Sequence, residues 1–432
     1  MSGNILQNAR QFVQCLVKFA FVSPQRCPNC GSTAIKKNGT YTRKLRDFGG
    51  VKKIKVQRYW CHHCRKSFHK ADQRQFTPFS RYARRVQRKT LDIYFHLGGS
   101  LRKVAEFIRG ELCPGEGRSV VWEPWCRRRK RRKEPPPRLS HTTVWRWIQR
   151  EGRKVREGEK GLWGGVIGFR GVLSADSTGI KVKNWSQVVH VIVEDVSGVI
   201  MSLSRLREEE KNKRIIQEFR ELFRRWGLKL KEVILLISDG EEIYRQVLNL
   251  VLCGVYQQRC LFHIWRNVGG EIKRYESEEG EEKGGEFRRK LKEALNAGSW
   301  RESRIKIREL MKEYKSRRNL HSMLRKVERV LFELFGYKLC RERGRPPDRV
   351  RRTTAMAESI FSKLKDRVKR MKCFMSERGS DNFLALWQVY YNFEPTQVRR
   401  ERKRVYRGGG KSPLERGGAQ VEGVSWLDAV GV

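Results

Sequence analysis

The sequence lacks any long apolar run. No uninterrupted apolar stretch exceeds five residues, the length of 233–237, far short of the roughly 20 that cross a bilayer. It is also short of negative charge: 47 Asp+Glu face 95 Lys+Arg, leaving a net +48 on 432 residues. Self-repulsion of that size favours a polyanionic partner, and nucleic acid is the usual one. The first 20 residues mix Gln, Asn, Arg and Lys among apolar side chains. With no charged segment leading into an apolar core, a signal peptide is not expected there, and residues 1–23 read as a short helix. Paired cysteines are lacking too. Eleven is an odd count, and four of them form two CxxC motifs, which favours metal ligation in a reducing compartment over a disulfide framework. What is present suffices for real cores: the chain is 38% hydrophobic, with 12 Trp and 20 Phe. Its length fits about two to four domains.

The charge is unevenly placed. Residues 1–150 carry 35 basic and 8 acidic side chains, whereas residues 171–265 carry 14 and 12. A basic front and a nearly neutral centre point to binding in the first part and to a use for carboxylates in the second. The expected fold class is multidomain α+β.

Cys27-Pro-Asn-Cys30 and Cys61-His-His-Cys64 flank 30 residues of alternating basic and β-branched type, such as Val51-Lys-Lys-Ile-Lys-Val56. Each CxxC sets two thiolates on a tight turn, and two such knuckles close a tetrahedral Zn²⁺ site. Residues 24–72 therefore read as a zinc ribbon with a structural ion, and Phe68 suits the aromatic residue beneath the metal. His62 and His63 stand as alternative ligands or as solvent- and phosphate-facing groups.

Residues 80–155 read as a helical DNA-binding region. Leu101, Val104, Ala105 and Ile108 recur at helical spacing behind Ser100, and Val144, Trp147 and Ile148 do so behind Ser140, both serines being good N-caps. If the pair is a helix-turn-helix, His141, Thr142 and Arg146 face the groove. Some 30 residues separate the two helices, including Arg127, Arg128, Arg129, Lys130, Arg131, Arg132 and Lys133. Either the motif carries a basic insertion over 110–138, or these are helices of an ordinary bundle. The seven-residue basic run is a candidate DNA contact or a solvated tether.

Strand-like runs follow at 171–176, 187–193 and 199–203, separated by turn residues. A helix over 211–225 with inner residues Ile215, Ile216, Phe219, Leu222 and Phe223 leads to a strand at 233–237, then Ser238-Asp239-Gly240, a second helix and a strand at 255–260. This order is that of a ribonuclease H-like core, assigned to 165–265. Such a fold suits phosphoryl transfer, because two Mg²⁺ ions about 3.5–4 Å apart clamp the attacking and leaving oxygens and need carboxylates from neighbouring strands. Asp176 and Asp239 would lie side by side. The third carboxylate is expected from a late helix, and Glu358 is the candidate, on a helix running to Met371 with Ala357, Phe361, Leu364 and Val368 inward. A first-turn Glu favoured by the helix dipole is the other reading. Glu194, Asp195, Glu241 and Glu242 sit at turns or a helix start and read as surface groups.

Asp176 in Ala-Asp-Ser-Thr, Asp239 in Ser-Asp-Gly, Cys260-Leu-Phe-His263 and Arg-Thr-Thr before Glu358 together resemble the DDE transposases of prokaryotic insertion sequences, in the Mutator-like group. The likeness covers most of 140–420 and extends to a helical insertion at 266–349, a second core part at 350–395 and the Gly410-Lys-Ser-Pro segment of a basic tail at 396–432. A zinc ribbon is a known companion module. Ala355-Met-Ala357 departs from the group, which often carries Asn before its Glu. The resemblance implies metal-dependent DNA cleavage and strand transfer in transposition, a form of DNA recombination. It implies Asp176 bridging two Mg²⁺ (Mn²⁺ a possible substitute), Asp239 and Glu358 each holding one, and Cys260 and His263 near the site, His263 assisting proton transfer or touching the scissile phosphate. A buried Cys and a satisfied His at a strand–helix junction is the plain alternative. It further implies double-stranded DNA as partner, at element ends and target, no membrane, a homo-oligomer on paired ends, and a cytoplasmic, nucleoid-associated protein. A nuclease of the same fold without strand transfer and a non-catalytic transposase-derived regulator remain the alternative functions.

Overall fold

The computed structural model describes residues 26–69, 76, 80–112, 139–158, 167–183, 185–342, 350–396, 400–401, 404–405 and 410–432. The helix expected at 1–23 and the basic run at 127–133 lie outside them, as does most of the connection at 110–138. The fold is mixed α+β and forms two compact units. One comprises residues up to 158 with 385–390 and 423–432, the other 159–384 with 391–422. No helix among the described residues is long and apolar enough to cross a membrane.

In the first unit, β1 (Ile35–Asp47) and β2 (Gly50–Cys61) form a long antiparallel hairpin, and β3 (Ser67–His69) adds to β2. The alternation read from Val51-Lys-Lys-Ile-Lys-Val56 buries Ile54 and Val56 against Leu45 and Phe76, with Tyr41 at the margin. Three helices follow: α1 (Arg84–Leu97), α2 (Leu101–Leu112) and α3 (His141–Gly158). Both expected caps form, Ser100 Oγ accepting from the Lys103 N–H at 3.3 Å and Ser140 Oγ from the Thr143 N–H at 3.2 Å. Glu151 is fully buried in α3, held by the Gln87 amide at 2.9 Å and by Arg150 and Lys154 at 2.7 Å. The chain end also belongs here: Arg88 binds Asp428 at 2.6 Å, and Phe95 meets the Trp426 ring edge-on at 5.0 Å.

The second unit is built on a five-stranded sheet with β4 (Val172–Val182) at its centre. On one side β5 (Trp185–Glu194) and β6 (Ile200–Leu206) continue it antiparallel. On the other, β7 (Leu235–Ser238) and β8 (Tyr256–Arg259) run parallel to it. The first strand is longer than its sequence signal, because Ser177-Thr178-Gly179 continues the ladder to Val182 without interruption. Between β6 and β7 lies α4 (Lys211–Trp226), which buries Ile215, Phe219, Leu222 and Trp226. Between β7 and β8 lies α5 (Glu242–Leu250).

A helical block then interrupts the sheet unit: α6 (Leu261–Glu279), α7 (Glu281–Leu295), α8 (Trp300–Glu313), α9 (Arg318–Arg329), α10 (Leu331–Leu334) and α11 (Gly336–Glu342). It has its own core, including Ile272, Phe287, Leu291, Ile307, Leu324 and Phe335. After it, α12 (Ala355–Met371) returns to the sheet beside β4 and β5, and α13 (Glu377–Phe393) is tied to β6 by the Asn392 amide, which bonds both the N–H and the C=O of Ile200.

Candidate active site

The parallel pairing of β4 and β7 aligns Val172 with Leu235, Leu173 with Leu236 and Ser174 with Ile237. Two residues past the last pair on each strand stand Asp176 and Asp239. Burial first, and then the Asp239 and Glu358 charges, push the Asp176 carboxyl up to about 6, against the Ser177 N–H, which donates to it at 2.8 Å, and the opposing pull of His263. Asp239 is likewise raised, by burial before any other cause, while the Glu241 N–H donates to it at 2.9 Å. Asp239 and Glu358, the other two carboxylates singled out in the sequence, thus both raise Asp176 electrostatically. Burial is the largest cause for both raised carboxyls, with neighbouring negative charge adding to it.

Gly240 shapes the turn that carries Asp239. Its φ is +87°, and a Cβ there would lie 2.2 Å from Arg259 Nε, a side chain ion-paired to Glu333 at 3.2 Å. The Asp-Gly pair is thus a local requirement of the β7 end.

Glu358 occupies the first turn of α12. Its partner is Thr354, a fully buried residue. The Thr354 hydroxyl lies 3.2 Å from Glu358 Oε1 and 3.4 Å from Cys260 Sγ, and its single proton serves one of them at a time. The Thr354 N–H also donates to Cys260 Sγ at 3.3 Å. Burial opposes ionisation of the Cys260 thiol, yet hydrogen bonds from His263 and Thr354 bring it below its ordinary range. The same bond to Cys260 is the largest cause raising His263. Ligand atoms of Cys260, His263 and Glu358 all lie within 4.8 Å of one another, and His263 Nδ1 is buried without a hydrogen-bond partner. Cys260 is a buried Cys, as the plain reading had it, but it sits beside the carboxylates.

Several residues of the site carried no sequence signal. Tyr244 on α5 is buried, and burial, then Asp239 and Asp176, raise its phenol well above the usual range, while Ser177 bonds it. His190 pairs across the sheet with Ser177, and its Nδ1 lies 2.7 Å from Glu218 of α4. Neither could be found without the fold, since Glu218 reads as a solvated charge on an amphipathic helix. Glu194 and Asp195 correct an expectation: instead of surface groups they are 1% and 0% exposed. Ser197 donates to Glu194 through its N–H at 2.6 Å, and Arg351 holds Asp195 at 3.0 Å, from a position 156 residues away. Glu241 and Glu242 are exposed.

In the first unit, Cys27, Cys30, Cys61 and Cys64 converge, with Cys27–Cys64 and Cys30–Cys61 sulfurs 3.6 Å apart. A 2.3 Å Zn–S bond in a tetrahedron requires sulfurs ~3.8 Å apart, so the cluster fits zinc. His141, Thr142 and Arg146 are exposed on the first turns of α3. Arg127, Arg128, Arg129, Lys130, Arg131, Arg132 and Lys133 lie outside the described residues.

No curated protein matches the chain. The family model described as "Transposase, Mutator family" matches residues 171–387, half of the sequence and the whole stretch that carries Asp176, Asp239, Cys260, His263 and Glu358. On that match the chain belongs to the Mutator family of transposases.

Proposed function

We propose that the chain is a DDE transposase that binds the terminal repeats of its insertion sequence, cleaves the DNA strand and joins the freed 3′-OH to target DNA. The observation that carries this reading is that Asp239, just past the end of β7, and Glu358, in the first turn of α12, both act on the buried Asp176 carboxyl of β4. The sheet order β6-β5-β4-β7-β8, with three antiparallel strands and two parallel ones, supports a ribonuclease H-like core.

The donor set suits Mg²⁺, which takes oxygen ligands, and a carboxyl held near 6 by burial and like charge is a place where a cation is wanted. Asp176, Asp239 and Glu358 would hold the ions. Bound Mg²⁺, or Mn²⁺ in its place, would supply Lewis-acid stabilisation of the attacking and leaving oxygens. The chain's own residues prepare the site. The Ser177 and Glu241 N–H groups fix Asp176 and Asp239, and Thr354 holds Glu358 within reach of Cys260. His263, biased towards its protonated form by Cys260, offers positive charge to the scissile phosphate. The four-thiolate cluster would hold structural Zn²⁺, and its hairpin, the α3 start at His141, Thr142 and Arg146, and the 127–133 run would grip DNA.

Labelled element ends incubated with the protein, a target plasmid and Mg²⁺ test the reading. Joined products are expected. Hydrolysed ends without joining would favour the nuclease alternative, and intact ends the non-catalytic regulator. Asp176→Ala should lower cleavage by at least a thousand-fold while leaving end binding intact.

A further inference from the structure

Glu358 begins a stripe along α12. Positions 358, 362, 365, 369 and 372 recur at the spacing of one helix face, and they read Glu358, Ser362, Lys365, Lys369 and Lys372, all exposed beyond the carboxylate. The stripe ends at Lys372, whose φ of +66° turns the chain towards the far end of β4. There the Phe374 N–H donates to the Lys181 carbonyl at 3.0 Å, and the Lys183 N–H donates to the Phe374 carbonyl at 2.8 Å. Lys183 also has positive φ, at +49°. Trp185 opens β5 opposite Val182. Trp185 and Met375 are 76% and 78% exposed, the most exposed large apolar side chains among the described residues. Lys181, Lys183 and Lys372 are exposed around them. Glu377, the acid next to this corner in sequence, is taken up by Arg207 at 2.7 Å.

Two rulers give the distance from the carboxylates to this corner. Fourteen helical residues from Glu358 to Lys372 rise about 21 Å. Six strand residues from Asp176 to Val182 span about 20 Å. The even spacing puts Val182, and hence Trp185 opposite it, on the sheet face of Asp176. A DNA strand advances about 3.4 Å per nucleotide, so the corner lies about six nucleotides from the carboxylates.

We propose that this stripe is a track for the DNA strand running away from the scissile phosphate. Lys365, Lys369 and Lys372 neutralise successive phosphates, and Trp185 stacks on a base about six nucleotides from the reacting bond. An exposed indole at a corner with three exposed lysines matches a polyanion that also carries π faces. The track rests on Asp176, Asp239 and Glu358 being the cleavage site, but its DNA contacts do not require cleavage.

The test uses the full zinc-loaded chain without added Mg²⁺ and duplexes of the element end carrying a single 2-aminopurine at positions one to ten from the cleavage point. Emission should change most at positions five to seven. Trp185→Ala should remove that peak and weaken binding at least five-fold, and Trp185→Phe should restore both. Replacing Lys365, Lys369 and Lys372 by Ala should lower the slope of log affinity against log salt by about 2.7, from 0.9 per phosphate. A flat emission profile, a peak unmoved by Trp185→Ala, or an unchanged slope would overturn the track. So would loss of self-association in Trp185→Ala with DNA binding intact, which would assign the corner to a protein partner. Cleavage by Asp176→Ala, run alongside, reports separately on the active-site reading: activity surviving there refutes the carboxylates' role, while the emission profile still answers for the track.

Discussion

At the scale of single residues, the carboxylates of the site work against the fold that carries them. Asp176 holds its proton up to about 6, chiefly through burial, whereas an unfolded Asp titrates near 3.9. The folded state therefore binds that proton more tightly, and the stability it confers, present at low pH, is lost as pH rises from about 4 through 6. Asp176→Asn should then stabilise the metal-free chain by up to about 3 kcal/mol at pH 7.5 and by about half that at pH 5, even as cleavage disappears. Denaturant unfolding of both proteins at the two pH values measures this, and an Asn variant no more stable at pH 7.5 would contradict it. Gly240→Ala should act in the opposite sense. Its left-handed φ alone costs about 1–2 kcal/mol, and the new methyl would displace Arg259, so both the unfolding midpoint and the cleavage rate should fall.

At the scale of elements, the same pattern of legibility holds throughout. Where a signal is local it reads through: Ser100 and Ser140 cap their helices, and the apolar, β-branched run of 187–193 makes β5. Asp176 and Asp239 come close because β4 and β7 pair in parallel, and Glu358 on the late helix α12 is near enough to act on Asp176. What sequence could not show depends on distant partners. Thr354 acquires its role from Cys260, 94 residues away, and Asp195 is buried only because Arg351 reaches it. The helix α1 stayed hidden because Arg84, Arg85, Arg88 and Lys89 break up the apolar spacing of Val86, Leu91, Tyr94 and Phe95. The β1–β2 hairpin makes its own prediction. Its core is Leu45, Ile54, Val56 and Phe76, too few residues for independent stability, and Lys44 stands directly opposite Lys53. The four converging thiols could hold a zinc ion that supplies the missing stability. Cys61→Ser should lower bound zinc from one per chain towards none, and the hairpin amides should exchange at least ten-fold faster while those of β4 and β5 keep their protection. Retained hairpin protection without zinc would show that the metal is dispensable.

At the scale of the whole molecule, a chain of net +48 sets up a field that repels Mg²⁺ as well as attracting DNA. The nearly neutral centre weakens that repulsion near Asp176, but the total remains positive, and Asp176 and Asp239 are raised chiefly by burial. Bound DNA changes both terms at once. Its phosphates would neutralise the positive field, and a scissile phosphate seated at Asp176, Asp239 and Glu358 would add oxygen ligands for the metal ion. Metal and DNA should therefore bind with positive coupling, and the coupling is reciprocal. Mn²⁺ titrated into the protein and followed by electron paramagnetic resonance should bind at least ten-fold more tightly when an element-end duplex is present. The duplex binds Mn²⁺ too, so the same titration with Asp176→Ala gives the background, and only the difference belongs to the site. Salt should erode the gain, because screening removes the field that the phosphates were cancelling. Equal Mn²⁺ affinity in free and DNA-bound protein, after that subtraction, would mean that the charge of the chain and the chemistry of its centre are independent.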